Sequence, residues 1–178
     1  MKRRRIVLVV ENVRSCHNVG SLLRTADGIG IEHVYLCGYT PYPRTPRDSR
    51  LPHVVERVER QISKTALGAD KSVGWSHRAD ILRLLKKLES QGFILVALEQ
   101  TEDAVWLPHL APTPMMALII GSETRGLSPA VLKLSNRQAQ IPMLGQKELL
   151  NVAAAAAIGL YHLRFGLSDR QRTQTRLK

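Results

Sequence analysis

Between Met115 and Leu163 the chain twice repeats one pattern: an apolar run, a polar loop, then a helix start. Met116-Ala117-Leu118-Ile119-Ile120 breaks at Gly121, and Ser122-Glu123-Thr124-Arg125-Gly126 follows before Ser128-Pro129 open a helix. A second run, Gln140-Ile141-Pro142-Met143, gives way to a polar loop over 144–148, after which Leu149-Leu150-Asn151-Val152 leads into a run of alanines. In an open α/β sheet, the loops beyond the carboxyl ends of the strands are where small ligands bind. Glycine in such loops lets backbone N–H and C=O groups approach a ligand closely. This half of the chain therefore reads as a binding pocket built from loops.

The first half supplies the rest of a sheet. Ile6 to Val10 is uniformly apolar and mostly β-branched, the pattern of a strand buried on both faces. A polar loop over 11–17 follows, with Asn18 as the expected N-cap of a helix whose apolar positions are Val19, Leu22, Leu23, Ala26 and Ile29, and with Gly30 as its stop. At 100° per residue Gly20, Arg24 and Asp27 fall together off that stripe, which predicts an exposed Arg24. His33 to Cys37 is a second strand. The segment from Gly38 to His53 carries four prolines with Arg44, Arg47 and Arg50, and reads as a stiff, RNA-facing loop. A helix is expected from Val54 to near Gly68. Ser76 is expected to cap another, with Ile81, Leu82, Leu84, Leu85 and Leu88 on its apolar side and Gly92 at its end. Phe93 to Leu98 is a buried strand, followed by an acidic turn, Glu99 to Asp103, that suits a cationic or hydroxylated ligand better than a phosphate. Strands alternating with helices give α/β with a mainly parallel sheet. Periodicity by itself points to an unknotted doubly wound fold, since knots are rare.

Charge narrows the partners. Among 178 residues, 26 Lys and Arg against 15 Asp and Glu leave a net charge of +11, concentrated in residues 1–5 and 164–178. Such an excess fits a polyanion, nucleic acid before membrane, because no basic amphipathic helix with bulky apolar anchors is present. Aromatic residues make up only 4%, which argues against a base-stacking platform. No apolar run has the length of a membrane span, and the five apolar residues after the basic start are too few for a signal peptide. Cys16 and Cys37 offer neither a metal spacing nor a disulfide framework, so a reducing cytoplasm is expected. The chain reads as a single domain, 1–178, with basic tails and no appended RNA-binding domain.

Several chemistries lack their parts. No phosphate-binding P-loop, dinucleotide glycine fingerprint or nucleophile elbow is present, and six scattered histidines show no metal-ligand spacing. What remains is a polar set at strand ends: Asn12, Asn18, Arg24, Glu123, Arg125 and Asn151. The stretch from Asn12 through Asn18, Gly20 and Arg24 to Asp27 resembles the first motif of the SpoU/TrmH-type RNA ribose methyltransferases. Ile119-Ile-Gly121-Ser-Glu123-Thr-Arg-Gly126-Leu resembles their second motif, and Ile141-Pro142-Met143 through Leu150-Asn151-Val152 their third.

That resemblance implies a SPOUT fold with helices on both faces of the sheet and a C-terminal trefoil knot, replacing the unknotted expectation. It implies a homodimer that binds S-adenosyl-L-methionine and methylates a ribose 2′-hydroxyl, needing no metal. Position by position, Arg24 matches the catalytic arginine, with Asn18, Glu123 and Asn151 as the other polar residues of the site. Leu98, Gly121, Ile141, Met143 and Leu150 match the methyl-donor pocket. Removing the hydroxyl proton needs a base, and an arginine is a poor one, so Arg24 is expected to stabilise the developing oxyanion and grip the adjacent phosphate, with direct proton removal by Arg24 as the alternative. The expected substrate is tRNA, with a D-loop guanosine as target. The alternatives are an rRNA-directed relative or a non-catalytic RNA-binding paralogue. Where the family commonly has Ser-Leu-Asn, this chain has Leu149-Leu150-Asn151, and Ala153 replaces a second serine. Leu149 cannot make the hydroxyl hydrogen bond, worth about 0.5–1.5 kcal/mol net.

Overall fold

A computed structural model describes residues 4–146 and 149–168. Seven strands form one sheet in which every pairing is parallel. They are β1 (Arg5–Glu11), β2 (His33–Cys37), β3 (Trp75–Arg78), β4 (Ile94–Leu98), β5 (Val105–Trp106), β6 (Met115–Ile120) and β7 (Arg137–Gln140), in the order β3-β2-β1-β6-β4-β7-β5. The helices are α1 (Cys16–Ile29), α2 (Pro52–Ala66), α3 (Ala69–Ser72), α4 (Ile81–Ser90), α5 (Pro129–Leu134) and α6 (Val152–Phe165). No helix among the described residues is long and apolar enough to cross a membrane.

Side-chain alternation divides the core in two. Ile6, Leu8 and Val10 of β1, with Met116, Leu118 and Ile120 of β6, face α1, α2 and α6. Val7 and Val9, with Ala117 and Ile119, face α4 and α5. Both faces of the central strands are thus buried, which is why their sequences are continuously apolar. Because all strands run one way, their carboxyl ends gather on one edge. There the order reverses: β2 and β3 lie on one side of β1, and β6, β4 and β7 on the other. The crevice at such a reversal is the expected ligand position.

Local expectations fail in a few places. Ser15, not Asn18, caps α1: its Oγ accepts the Asn18 N–H at 3.2 Å, leaving the Asn18 side chain free for other work. Gly30 does end the helix, in the left-handed conformation. The Gly20 stripe is not a solvent face. Gly20 is buried against α2, and Arg24 is exposed because α2 ends at Ala66, where Leu67 and Gly68 turn the chain at positive φ. Ser76 lies within β3, a four-residue strand too short and polar to register, and Asp80 caps α4. The last long strand pairs through Arg137–Gln140, so Ile141 to Met143 lie beyond it as loop.

The basic segments are partly spent on the fold. Arg50 is held by Asp48 at 2.6 Å and by the carbonyls of Tyr42 and Pro43, stacked over the Tyr42 ring, and Arg44 pairs with Glu59. Arg5 pairs with Glu32. Arg4 donates to the carbonyls of Leu163 and Arg164, while Arg164 donates to those of Arg4 and Gly30, tying the start of β1 to the end of α6. Residues 1–3 and 169–178, which hold the remaining cations of the two ends, lie outside the described residues.

Candidate active site

Three segments meet at the carboxyl edge of β4, β6 and β7: 98–100, 120–126, and 140–155 in part. They enclose a cavity of about 490 Å³, within the range of small-molecule sites. Leu98, Gly121, Ile141, Met143 and Leu150, the residues expected to hold a methyl donor, all line it, as do Glu123 and Asn151. Leu149 lines it too and is 65% exposed, so an apolar side chain borders solvent where the resemblance leads one to expect a serine.

The loop after β6 is tightly wound. Ser122 and Gly126 exchange both backbone hydrogen bonds, at 3.1 and 3.0 Å, and the Ser122 Oγ accepts the Arg125 N–H. A Cβ at Gly121 would sit 2.2 Å from the Gly126 carbonyl carbon, and Gly126 has φ +64 with Glu99 packed against it. Glu99, at the end of β4, accepts the Leu127 N–H at 2.8 Å. Glu11, at the end of β1 and only 4% exposed, takes both the N–H and the hydroxyl of Ser128 at the start of α5. Two carboxylates thus fix the loop's exit where backbone donors would otherwise lack partners. The sequence places Glu99 only in an acidic turn suited to a cationic or hydroxylated ligand, and gives Glu11 no role. The available signal was an acidic residue directly terminating an apolar strand.

The polar residues of the three motifs form one chain of hydrogen bonds. Asn151 Nδ2 donates to Asn18 Oδ1 at 3.2 Å, and Asn18 Nδ2 donates to Glu123 Oε1 at 2.8 Å. Glu123 Oε2 accepts the Arg14 N–H, just before α1 begins, and Asn151 Oδ1 accepts the Ala153 N–H as N-cap of α6. Both asparagine amides are therefore oriented by what lies on either side. Partial burial pushes the Glu123 carboxyl up, but its own backbone N–H, the Asn18 amide and the N–H groups of Arg14 and Ser15 outweigh this and hold it below the usual range. A carboxylate so stabilised is a poor proton acceptor. Glu123 is suited to holding Asn18 in place rather than to removing a proton.

Arg24 is not part of this set. It lines a separate shallow depression between α1 and α2, with Ser21, Thr25, Lys64, Thr65 and Leu67. Among the described residues, no group of His, Cys, Asp and Glu could hold a metal ion.

Comparison with known proteins identifies the family. The model of the SpoU rRNA Methylase family matches residues 5–161. An uncharacterized tRNA/rRNA methyltransferase of Synechocystis is 31% identical over 162 residues, covering 90% of this chain and 53% of the relative. The tRNA (guanosine(18)-2′-O)-methyltransferase of Thermus thermophilus is 29% identical over 177 residues, covering 97% of this chain and 83% of that protein. Among solved structures, an AdoMet-bound rRNA methyltransferase from Sinorhizobium meliloti superposes with a TM-score of 0.76 at 21% identity, covering 91% of this chain and 56% of that one. The Aquifex aeolicus TrmH/SpoU tRNA modifying enzyme gives 0.74 at 23%, covering 99% and 80%. This chain spans about half the length of the first relative and of the first structure. At such identities the structures show the fold, the parallel-sheet SPOUT architecture, and the family match covers nearly the whole chain. The chain belongs to the SpoU rRNA methylase family.

Proposed function

We propose that this chain is an S-adenosyl-L-methionine-dependent RNA 2′-O-ribose methyltransferase domain acting in the cytoplasm, with tRNA as substrate and a D-loop guanosine as target. The observation that carries the reading is the hydrogen-bonded chain from Asn151 through Asn18 to Glu123 beside the loop cavity. It joins one residue from each of the three motif segments at the place where a ligand would sit. The tRNA preference is supported by the Thermus relative, similar along nearly its whole length.

The cavity suits the methyl donor. Leu98, Ile141, Met143 and Leu150 give it an apolar wall, and Glu99 and Glu123 put carboxylates beside a ligand that carries a cationic sulfur. When bound, that ligand supplies an electrophilic methyl group. The protein's own part is positioning: Asn18 and Asn151 present fixed amides beside the cavity, Glu123 holds Asn18, and Arg24 grips the phosphate next to the reacting ribose and stabilises charge on its oxygen.

The same reading includes threading of the chain after β6 as a trefoil knot and assembly as a homodimer. Within the alanine run Ala156 is buried, as is Gly159, on the protein's own sheet, while Ala154 is exposed. The opposite side of α6 carries Ile158, Tyr161 and Phe165, at 42, 62 and 58% exposure, and these are the residues proposed to meet a second copy. Sedimentation showing a monomer at micromolar concentration would remove the dimer from the proposal.

Leu149 supports one other reading, a paralogue that binds RNA without transferring a methyl group. Calorimetric titration of the donor, followed by incubation of donor and protein with unmodified tRNA or rRNA, separates the two. Donor binding and 2′-O-methylation of tRNA are expected. Binding without transfer to either RNA favours the paralogue, and absence of donor binding overturns the proposal.

A further inference from the structure

The depression around Arg24 holds groups that the site described above does not use. Its shape comes from Gly20. A Cβ there would lie 2.1 Å from Thr65 Oγ1 and 2.2 Å from the Ile62 carbonyl oxygen, so only glycine lets α1 and α2 approach this closely. Thr65 Oγ1 fastens the contact by donating to the His17 carbonyl at 2.8 Å. One turn beyond Gly20, α2 stops, and Arg24 emerges beside Lys64.

Both cations line the depression and are exposed, and neither side chain has an ionic or hydrogen-bonding partner among the described residues. The nearby acid on α1, Asp27, is occupied by the Ser72 hydroxyl at 2.9 Å. Ser21 and Thr25, one turn apart on α1, line the same depression, and among the described residues no side-chain hydrogen bond uses their hydroxyls. Two cations held side by side repel unless an anion lies between them. Lys64 also offsets the negative end of the α2 dipole, but that effect alone does not call for Arg24 and two hydroxyls around it.

We infer that Lys64, Ser21 and Thr25 form, with Arg24, a subsite for one phosphodiester of the RNA substrate. The inference rests on the reading that the chain binds RNA, and adds to it a binding residue on α2. Arg24 lies six residues, about 9 Å along the helix, from Asn18. Side chains on a helix lean toward its N-terminus, so the subsite tilts toward the end of α1 that borders the cavity. A phosphate seated there would anchor the strand on the outer side of α1. The two non-bridging oxygens of a phosphodiester can accept from both cations and both hydroxyls at once.

The test measures the affinity of the full chain for an unmodified tRNA transcript over a range of salt. Lys64→Gln should weaken binding and flatten the log–log salt slope by part of the about 0.7–0.9 that one phosphate contributes, because Arg24 still holds the shared phosphate. Donor affinity should be unchanged, stability should fall by no more than the about 0.3–1 kcal/mol of a lost helix-end charge, and Lys64→Arg should restore the slope. The Arg24→Gln/Lys64→Gln double variant should flatten the slope by about 0.7–0.9 in all, because one phosphate is shared. A doubled change would mean two separate contacts and would overturn the shared subsite. An unaltered slope in Lys64→Gln, with wild-type RNA binding intact, would remove Lys64 from the interface while leaving the methyltransferase reading standing. Wild-type protein that binds no RNA would bring down both. Inorganic phosphate added at constant ionic strength should not erase the difference between wild type and Lys64→Gln. If it does, the site takes free phosphate and the diester assignment fails.

Discussion

Asn18 and Arg24 stand six residues apart on the same helix, yet their surroundings are opposites. Asn18 has both ends of its amide engaged, one by Asn151 and the other by Glu123. Arg24 projects into a depression whose other cation is equally without a partner among the described residues. A polar side chain fixed from both sides contributes orientation and some stability, and has little freedom left for substrate. A charged one held near a like charge contributes nothing to the fold and is left for a ligand. Exposure alone would have ranked the two the other way, since an exposed arginine is ordinarily just solvated.

The largest effect expected from this contrast is on catalysis at Arg24. Arg24→Ala should leave stability within about 0.5 kcal/mol of wild type, as for a surface change away from caps and core. Methyl transfer should fall by about 100-fold or more, as for loss of a positioned oxyanion partner. Arg24→Lys should rescue poorly, because an ammonium lacks the planar fork that grips a phosphate through two bonds. Single-turnover rates at saturating RNA separate chemistry from binding, and a near wild-type rate for Arg24→Ala would sink the assignment.

Gly20→Ala reverses the pattern, acting on the fold first. Its methyl would meet the Ile62 carbonyl, which is backbone and cannot swing aside. The helices must part, at a cost of about 1–3 kcal/mol read from urea unfolding. A cost near zero would show that α1 and α2 separate freely, and that the pairing of Arg24 with Lys64 is not enforced by the fold.

Much of this was legible before any coordinates. Continuous apolar runs marked β1, β4 and β6 because strands buried on both faces leave no polar positions. The motif residues Leu98, Gly121, Ile141, Met143 and Leu150 were placed together by resemblance, and the fold gathers them around one cavity. What escaped was decided by contacts between distant segments. β3 is short and half polar, and exists because β2 offers it a parallel partner. Asn18 has the chemistry of an N-cap, but Ser15 stands one turn earlier and Glu123, more than 100 residues away, claims the asparagine. The Gly20 stripe is polar by composition, yet α2 covers half of it, and α1 alone does not reveal where α2 ends. Glu11 and Glu99 were unreadable for the same reason, since the backbone donors they satisfy belong to the loop and helix after β6.

The smallest expected effect is at the other pole of the comparison, Glu123, and it depends on pH. Its carboxyl is held below the ordinary range in the folded protein, so ionisation favours the folded state. The contribution should be fully present above the unfolded value, about 4.3, and be lost as pH falls through the lower folded value. Glu123→Gln keeps the shape but removes the charge beside the first turn of α1. Its amide nitrogen also cannot accept, so it cannot serve both the Asn18 amide and the Arg14 N–H as the carboxylate does. Because Glu123 is exposed, solvent screens the loss, and the difference at neutral pH should be under about 1 kcal/mol. Urea unfolding of both proteins across the acid range should show the gap closing as the wild-type carboxyl protonates. Donor binding offers a second readout, since Glu123 lines the cavity while Arg24 does not. Glu123→Gln should shift donor affinity where Arg24→Ala leaves it alone. A stability gap that stays constant from neutral to acid pH would mean that the Glu123 charge does not hold Asn18, and that the two ends of α1 differ less than their hydrogen bonds imply.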